Sequence, residues 1–175
     1  MEKRSVKTAA CSLALALTAC ASAPQVAVPD QLKPAANESL AMIVPAAGVQ
    51  IYECRAGKNA AGYEWVFVAP EAELFDARGK AIGTHGAGPH WQSSDGSRIV
   101  GKVKQRADAP VPGAIPWLLL ATESTGSQGA FSKVSSIQRV NTAGGVAPGA
   151  GCTRATVGKS ARVGYSADYY FFTAR

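Results

Sequence analysis

The chain lacks most of the short motifs that announce an activity. It has only two histidines, His85 and His90, and its four cysteines include no Cys-x-x-Cys pair. No Gly-x-Ser-x-Gly elbow leads into a helix, so a hydrolase nucleophile has no obvious seat. Its 18 lysines and arginines, set against 12 acidic residues, are scattered rather than gathered into a run interleaved with aromatics. Nucleic-acid binding therefore finds no support. From residue 48 to 175 no segment keeps the period of an amphipathic helix for more than two turns, and neither an internal repeat nor a second domain is visible.

The N-terminus carries an export pattern. Lys3, Arg4 and Lys7 precede the apolar run Ala9–Leu17, which is too short to span a bilayer and reads as a secretory signal. The run ends in Leu17-Thr18-Ala19-Cys20, which resembles a bacterial lipobox. The expectation is a lipoprotein signal over 1–19, a lipidated Cys20 and an anchor made of buried acyl chains at about 0.8 kcal/mol per methylene. Ordinary cleavage near Ala21–Ala23 is the alternative. Ala21 follows the cysteine where an aspartate would signal inner-membrane retention, so outer-membrane delivery in a bacterial envelope is expected, facing either the periplasm or the surface. Loss of Glu2, Lys3, Arg4 and Lys7 would lower the net charge from +6 to +4.

With Cys11 in the signal and Cys20 committed to lipid, Cys54 and Cys152 remain. In an oxidising compartment they read as one disulfide. Free thiols at a metal or redox site are the alternative, but no histidine flanks either cysteine.

Residues 20–45, with prolines at 24, 29, 34 and 45, read as the lipidated N-terminus and an Ala/Pro-rich tether. Within it, Glu38–Val44 fits either a helical turn or a first strand. The domain proper is expected over 46–175, with strands at Val49–Cys54, Tyr63–Val68 (stopped by Pro70), Ala72–Phe75, Lys80–Gly83, Ser97–Val103, Trp117–Thr122, Phe131–Val140 and Arg162–Thr173. Trp117–Thr122 is apolar throughout, as in a strand buried on both faces. Phe131, Val134, Ile137 and Val140 recur nearer to every third residue than every second, so that strand is the least regular. Short strands divided by Gly/Pro turns predict a single-domain all-β sandwich or barrel with long loops.

Gly83–Val103 is the unusual stretch. It holds both histidines, Trp91, an Asp95-Gly96 turn and the closely spaced Gly83, Gly86, Gly88 and Gly96. Glycine at this density marks positive φ or a close approach to the backbone. The suspected ligand-binding residues are His85, Gly86, Gly88, His90, Trp91, Asp95 and Ser97. His85 and His90, with Asp95 or Glu53 as a third donor, are weak candidates for zinc or copper. A structural histidine bonded to a loop carbonyl is the simpler reading. Ser97 beside Asp95 and His85 suggests a triad only superficially, because Asp95-Gly96 is first a turn. Asp168, if buried, would need a partner such as Arg139 or Arg162. Trp65, Trp91 and Trp117, with Tyr52 and Tyr63, are weighed as a stacking platform against a place in the core.

Several pieces together carry a resemblance: G-x-Q-I-Y-x-C at Gly48–Cys54, W-x-F-x-A-P at Trp65–Pro70, G-x-H-x-x-G-P at Gly83–Pro89, D-G-S at Asp95–Ser97, WLLL at Trp117–Leu120, I-Q-R-x-N-T-x-G-G at Ile137–Gly145, Gly151-Cys152 and Y-x-A-D-Y-Y-F at Tyr165–Phe171. The chain resembles domain-of-unknown-function family 3455 (DUF3455), small exported proteins of bacteria and fungi, over nearly the whole mature domain. The resemblance implies no established activity. His85 fits the family pattern, while a threonine-like residue often stands where this chain has His90. The malate dehydrogenase label attached to some fungal relatives finds no support here. The glycines run G-x-x-G-x-G into Pro89-His90-Trp91, with no helix to face a pyrophosphate.

The expectation for function is a non-enzymatic envelope lipoprotein that binds a small molecule, a glycan or an envelope protein through residues 83–97, with no cofactor. The alternatives are a metal-dependent enzyme or redox protein using His85, and a purely structural envelope component.

Overall fold

Runs of β-branched and aromatic residues punctuated by Gly and Pro give strands here, and among the described residues no helix is longer than a single 3-10 turn. The computed structural model describes residues 26–57 and 62–175; Cys20 lies outside them. Its strands are β1 (Glu38–Ala56), β2 (Tyr63–Phe75), β3 (Ala81–Gly86), β4 (His90–Ser93), β5 (Arg98–Ala107), β6 (Trp117–Ser124), β7 (Val134–Gly144) and β8 (Ser160–Ala174). Each pairs antiparallel with the next, and β8 returns to β1, from Glu38 opposite Ala174 to Glu53 opposite Ser160. The sheet is therefore a closed barrel, one of the two architectures expected. Cys54 and Cys152 form the expected disulfide.

Two apolar clusters lie on opposite faces of the wall. Inside are Val44, Leu74, Trp91, Ile99, Leu120, Ile137, Tyr169 and Phe171 among others. Outside, Leu32 packs with Trp117, Leu119, Val140, Tyr170 and Phe172. The outer cluster exists because the N-terminal segment lies across β5–β8. Gln138 Nε2 donates to the Leu32 carbonyl (2.6 Å) and Gln31 Nε2 to the Arg106 carbonyl (2.7 Å). This accounts for the apolar first half of β6, in which Leu120 faces the interior and Trp117 and Leu119 face the segment. The tether expected over 20–45 is shorter than that range: Leu32 is fully buried, and of the two options for Glu38–Val44 the chain takes strand.

Three other expectations are corrected. β2 runs unbroken through Pro70 instead of ending there. β3 pairs only with Ala72–Phe75, so at Pro70 β2 has a neighbour on one side, where a proline is tolerated. The stretch 83–97 is not one loop, since β3 and β4 form a hairpin inside it. β7 starts at Val134, and a register shift between Val134 and Ser136 adds one residue to the strand. That bulge puts Val134 and Ile137 on the same face three residues apart, which explains the irregular spacing.

The barrel has one filled end and one open end. At the filled end, Phe131 from the β6–β7 connection is buried against Phe171 (ring centroids 5.0 Å apart) above Leu74 and Ile99. At the other end lie the β3–β4 turn and the long connections 108–116 and 145–159. There β3 and β4 are far shorter than the flanking β2 and β5, so the wall is low between Phe67 and Val103. The disulfide ties the 145–159 connection to the end of β1. It is joined by the Cys54 N–H to Lys159 carbonyl and Gly158 N–H to Cys54 carbonyl bonds (both 2.9 Å), and by Trp65 Nε1 donating to the Ala150 carbonyl (2.9 Å).

The bridge joins residues 98 apart in sequence. Replacing both cysteines by serine is expected to lower unfolding free energy by about 2–4 kcal/mol, read from urea denaturation. In hydrogen exchange the added opening should concentrate in 145–159. Unchanged stability, or exchange spread evenly over the barrel, would contradict this role for the bridge.

Candidate functional site

Because the wall is low at β3–β4, the open half of the barrel encloses a cavity of about 900 Å³. Its inner wall is built by strand alternation: Gln50 and Tyr52 from β1, His85 from β3, Trp91 from β4, Leu118 and Leu120 from β6, Arg139 from β7 and Tyr169 from β8. Trp91 lies so close to β5 that a Cβ on Gly101 would meet its ring at 2.7 Å, so only glycine fits there. The mouth is apolar. Phe67 (49 % exposed), Val68, Val103, Val111 (52 % exposed) and Val146 line it, and they make up most of the large apolar side chains exposed among the described residues.

His85 sits at the centre of the deep wall, 4 % exposed. Its ring stacks on Trp91 (centroids 4.3 Å, planes 14° apart) and meets Tyr169 edge-on at 5.2 Å. Nδ1 lies 2.7 Å from the His90 carbonyl, so Nδ1 carries the proton of the neutral ring. Burial pushes the imidazole pKa down to about 3, against the partial support of that carbonyl, and the Arg139 charge lowers it further. This is the structural histidine of the simpler reading, placed on a cavity wall.

The suspected residues divide between the two ends of the barrel. His85, Gly88 and Trp91 line the cavity. Gly86 and His90 pair across the base of the β3–β4 turn, where the His90 ring lies over Gly86 and its Nδ1 is 2.7 Å from the Ala87 carbonyl. Asp95 and Ser97 belong to the filled end. Asp95 Oδ1 accepts from the Ser97 hydroxyl (2.6 Å) and N–H (2.9 Å), and Oδ2 accepts from the Ala130 N–H (2.8 Å). Ser97 Oγ in turn accepts from the Phe131 N–H (3.1 Å). The pair thus fastens Phe131 into its place. The Ser97 hydroxyl proton is given to Asp95 and not to a histidine, so no triad forms. Those bonds, the Ser97 hydroxyl first, hold the Asp95 carboxyl well below the ordinary carboxylate range.

Other expected groupings do not assemble. Among the described residues no three His, Cys, Asp or Glu side chains come together as donors for a metal ion. Glu53 pairs with Arg55 instead (2.9 Å). Asp168 accepts from Asn141 Nδ2 (2.8 Å), while Arg162 pairs with Glu71 (2.7 Å) and Arg139 points into the barrel. The three tryptophans lie on three surfaces: Trp91 inside, Trp117 under the N-terminal segment and Trp65 against the 145–159 connection. They form no common platform.

Sequence reasoning missed the cavity's polar residues. Arg139 Nε and Nη2 donate to the Pro116 carbonyl (3.1 and 2.8 Å), and no carboxylate among the described residues pairs with it. Gln50 (3 % exposed) is another, and the exposed Arg106 and Asp108 also line the cavity. A signal existed for Gln50, a polar residue at an inward position of β1, whereas the β7 bulge hid the direction of Arg139.

Because His85 is neutral when folded and has an ordinary pKa of 6.5 when unfolded, the unfolded chain binds the extra proton as pH falls. Stability should be full above pH 6.5 and decline toward about 3, by at most about 1.4 kcal/mol per pH unit. Asp95 and Glu38, whose pKa values are lowered from 3.8 and 4.5, contribute only further down. In urea titrations between pH 5 and 6.5, His85→Leu should flatten this slope. An unchanged slope would contradict the assignment.

Neither the curated proteins nor the solved structures contain a significant match. The family model described as "Protein of unknown function (DUF3455)" matches residues 34–173, from just before β1 to the end of β8. By that match across the whole barrel, the chain belongs to the DUF3455 family.

Proposed function

We propose that this protein is a lipid-anchored binding protein of the bacterial envelope, which holds one small, largely apolar molecule inside its barrel. The observation that carries this reading is the cavity of about 900 Å³ whose mouth is ringed by exposed apolar side chains. Volumes of about 300–1,000 Å³, with mostly hydrophobic walls and a few placed polar groups, are typical of small-molecule sites. Exposed apolar side chains gathered at one opening also mark such a site, where scattered ones would not. Of the stretch 83–97, His85, Gly88 and Trp91 touch the ligand; Asp95 and Ser97 support the opposite end.

The anchor fits the same picture. Val26 and Val28 pack in the outer cluster with Ala107 and Ala109, beside the open end, and the chain runs from there toward the filled end at Glu38. A lipidated Cys20 lies six residues before Val26, within about 20 Å of extended chain. The mouth is thereby kept near the membrane surface, where apolar molecules reside.

Purified protein without the signal, titrated with the neutral fluorophore N-phenyl-1-naphthylamine, should bind it saturably at one site. Leu118→Trp, which fills the cavity, should weaken binding by about tenfold or more, while Val157→Trp on the outer surface leaves it unchanged. Equal binding by Leu118→Trp and the parent would remove the cavity from the function. In cells, Cys20→Ala should shift the protein from the membrane pellet to the soluble fraction; continued sedimentation would reject the anchor.

A further inference from the structure

The polar side chains that line the cavity include donors left without a partner. Among the described residues four buried side-chain nitrogens have no hydrogen-bond partner, and two of them, Gln50 Nε2 and Trp91 Nε1, belong to side chains that line the cavity. Both residues are at most 3 % exposed. A buried donor left unpaired is costly, and its retention asks for an explanation. Arg139 adds a cation. Two of its nitrogens share the Pro116 carbonyl, and the guanidinium also approaches the Tyr169 hydroxyl.

These groups surround one spot. Tyr169 packs edge-on against Trp91 (5.4 Å), and its hydroxyl lies 3.4 Å from that of Tyr165. Gln50 lies beside the Tyr165 hydroxyl without reaching hydrogen-bonding geometry. Burial pushes both tyrosines up and the nearby Arg139 charge pulls against it. Among the described residues no anionic acceptor lies at this depth. His85 commits its Nδ1 proton to the His90 carbonyl and keeps Nε2 only as a neutral acceptor, and the carboxylate on the cavity wall, Asp108, sits exposed on the mouth connection. Beyond this spot the wall is largely apolar, through Leu118 and Val103 to Phe67, with the exposed Arg106 and Asp108 toward the mouth.

We infer that the ligand is a single-chain amphiphile with a carboxylate head, which enters head-first and seats on Arg139, beside Gln50. The inference rests on the binding reading above and adds the ligand's chemistry. A guanidinium presents parallel donors that match a planar carboxylate. One deep cation balances one negative charge, whereas a doubly charged head would bring an uncompensated charge into a largely apolar cavity. The alkyl chain then covers the apolar wall and leaves at the mouth.

Calorimetric titration with dodecanoate and with dodecanol, which has the same chain length and no charge, tests this directly. N-phenyl-1-naphthylamine is titrated in parallel to report whether the cavity binds at all. Dodecanoate should bind about tenfold or more tightly than dodecanol. Arg139→Met should bring the two level by weakening dodecanoate far more than dodecanol. Arg139→Lys, which keeps the charge and loses the fork, and Gln50→Leu should each shrink the preference in part. They carry the test if circular dichroism shows Arg139→Met unfolded. Equal binding of both chains by the parent, or a preference that Arg139→Lys and Gln50→Leu leave intact, would overturn the head-group inference while the binding reading stands. Failure of the fluorophore and both chains to bind would overturn both.

Discussion

Pairing of β8 with β1 is the constraint on which the rest of the molecule depends. These two strands are the longest, and they meet over nearly their whole length, with one register shift at Leu40/Met42. Joining first strand to last removes both sheet edges. It also turns one face of every strand into an interior. For eight strands that interior is just wide enough either to be filled by side chains or to hold one small ligand. This barrel does both, at different heights. Aromatic and aliphatic side chains meet at the filled end, while toward the mouth β3 and β4 stop short and the space is left to the connections.

The two halves also differ in how they are held. The filled end relies on packing and on the short chain of bonds from Asp95 through Ser97 to Ala130 and Phe131. The open end relies on a covalent bridge and on connections tied at their bases. Ile115 N–H donates to the Gly144 carbonyl (2.9 Å) and Thr142 Oγ1 to the Ile115 carbonyl (2.6 Å), so the 108–116 and 145–159 connections rise from a common footing. Val111 and Val146 are thereby kept at the mouth without an apolar cover.

Much of this was legible in the sequence. Short strands between Gly/Pro turns gave the class, the surviving cysteine pair gave the bridge, and the terminal aromatic run gave the strand that closes the barrel. What could not be read follows from two physical facts. A four-residue strand such as β4 is too short to display alternation, so a hairpin looked like a single glycine-rich loop and its residues like a single site. Bulges break the period of two: the one at Ser135 hid which face Arg139 takes, and β2 likewise shifts register against β1 between Ile51 and Tyr52. The site was therefore half visible. His85, Gly88 and Trp91 stood out by composition, whereas Gln50, Leu118, Arg139 and Tyr169 meet them only because a closed barrel brings distant strands round to one interior.

A cavity with unpaired donors is a cost that a barrel selected for stability alone would not carry. Filling the space with one more aromatic ring, as Phe131 does at the other end, would gain dispersion contacts now missing along its walls. The polar residues sharpen the point. Gln50 and Arg139 occupy inward positions where leucine would satisfy the pattern of the neighbouring strands; Gln50 is left with an unpaired donor and Arg139 with no carboxylate partner among the described residues. Side chains that lower stability, lie at one depth and share one hydrogen-bonding sense are better explained by what they meet when the cavity is occupied than by the fold they belong to. On that argument the filled end and the bridge exist to offset the open end, and a bound molecule that met these donors would return the deficit by mass action as added stability.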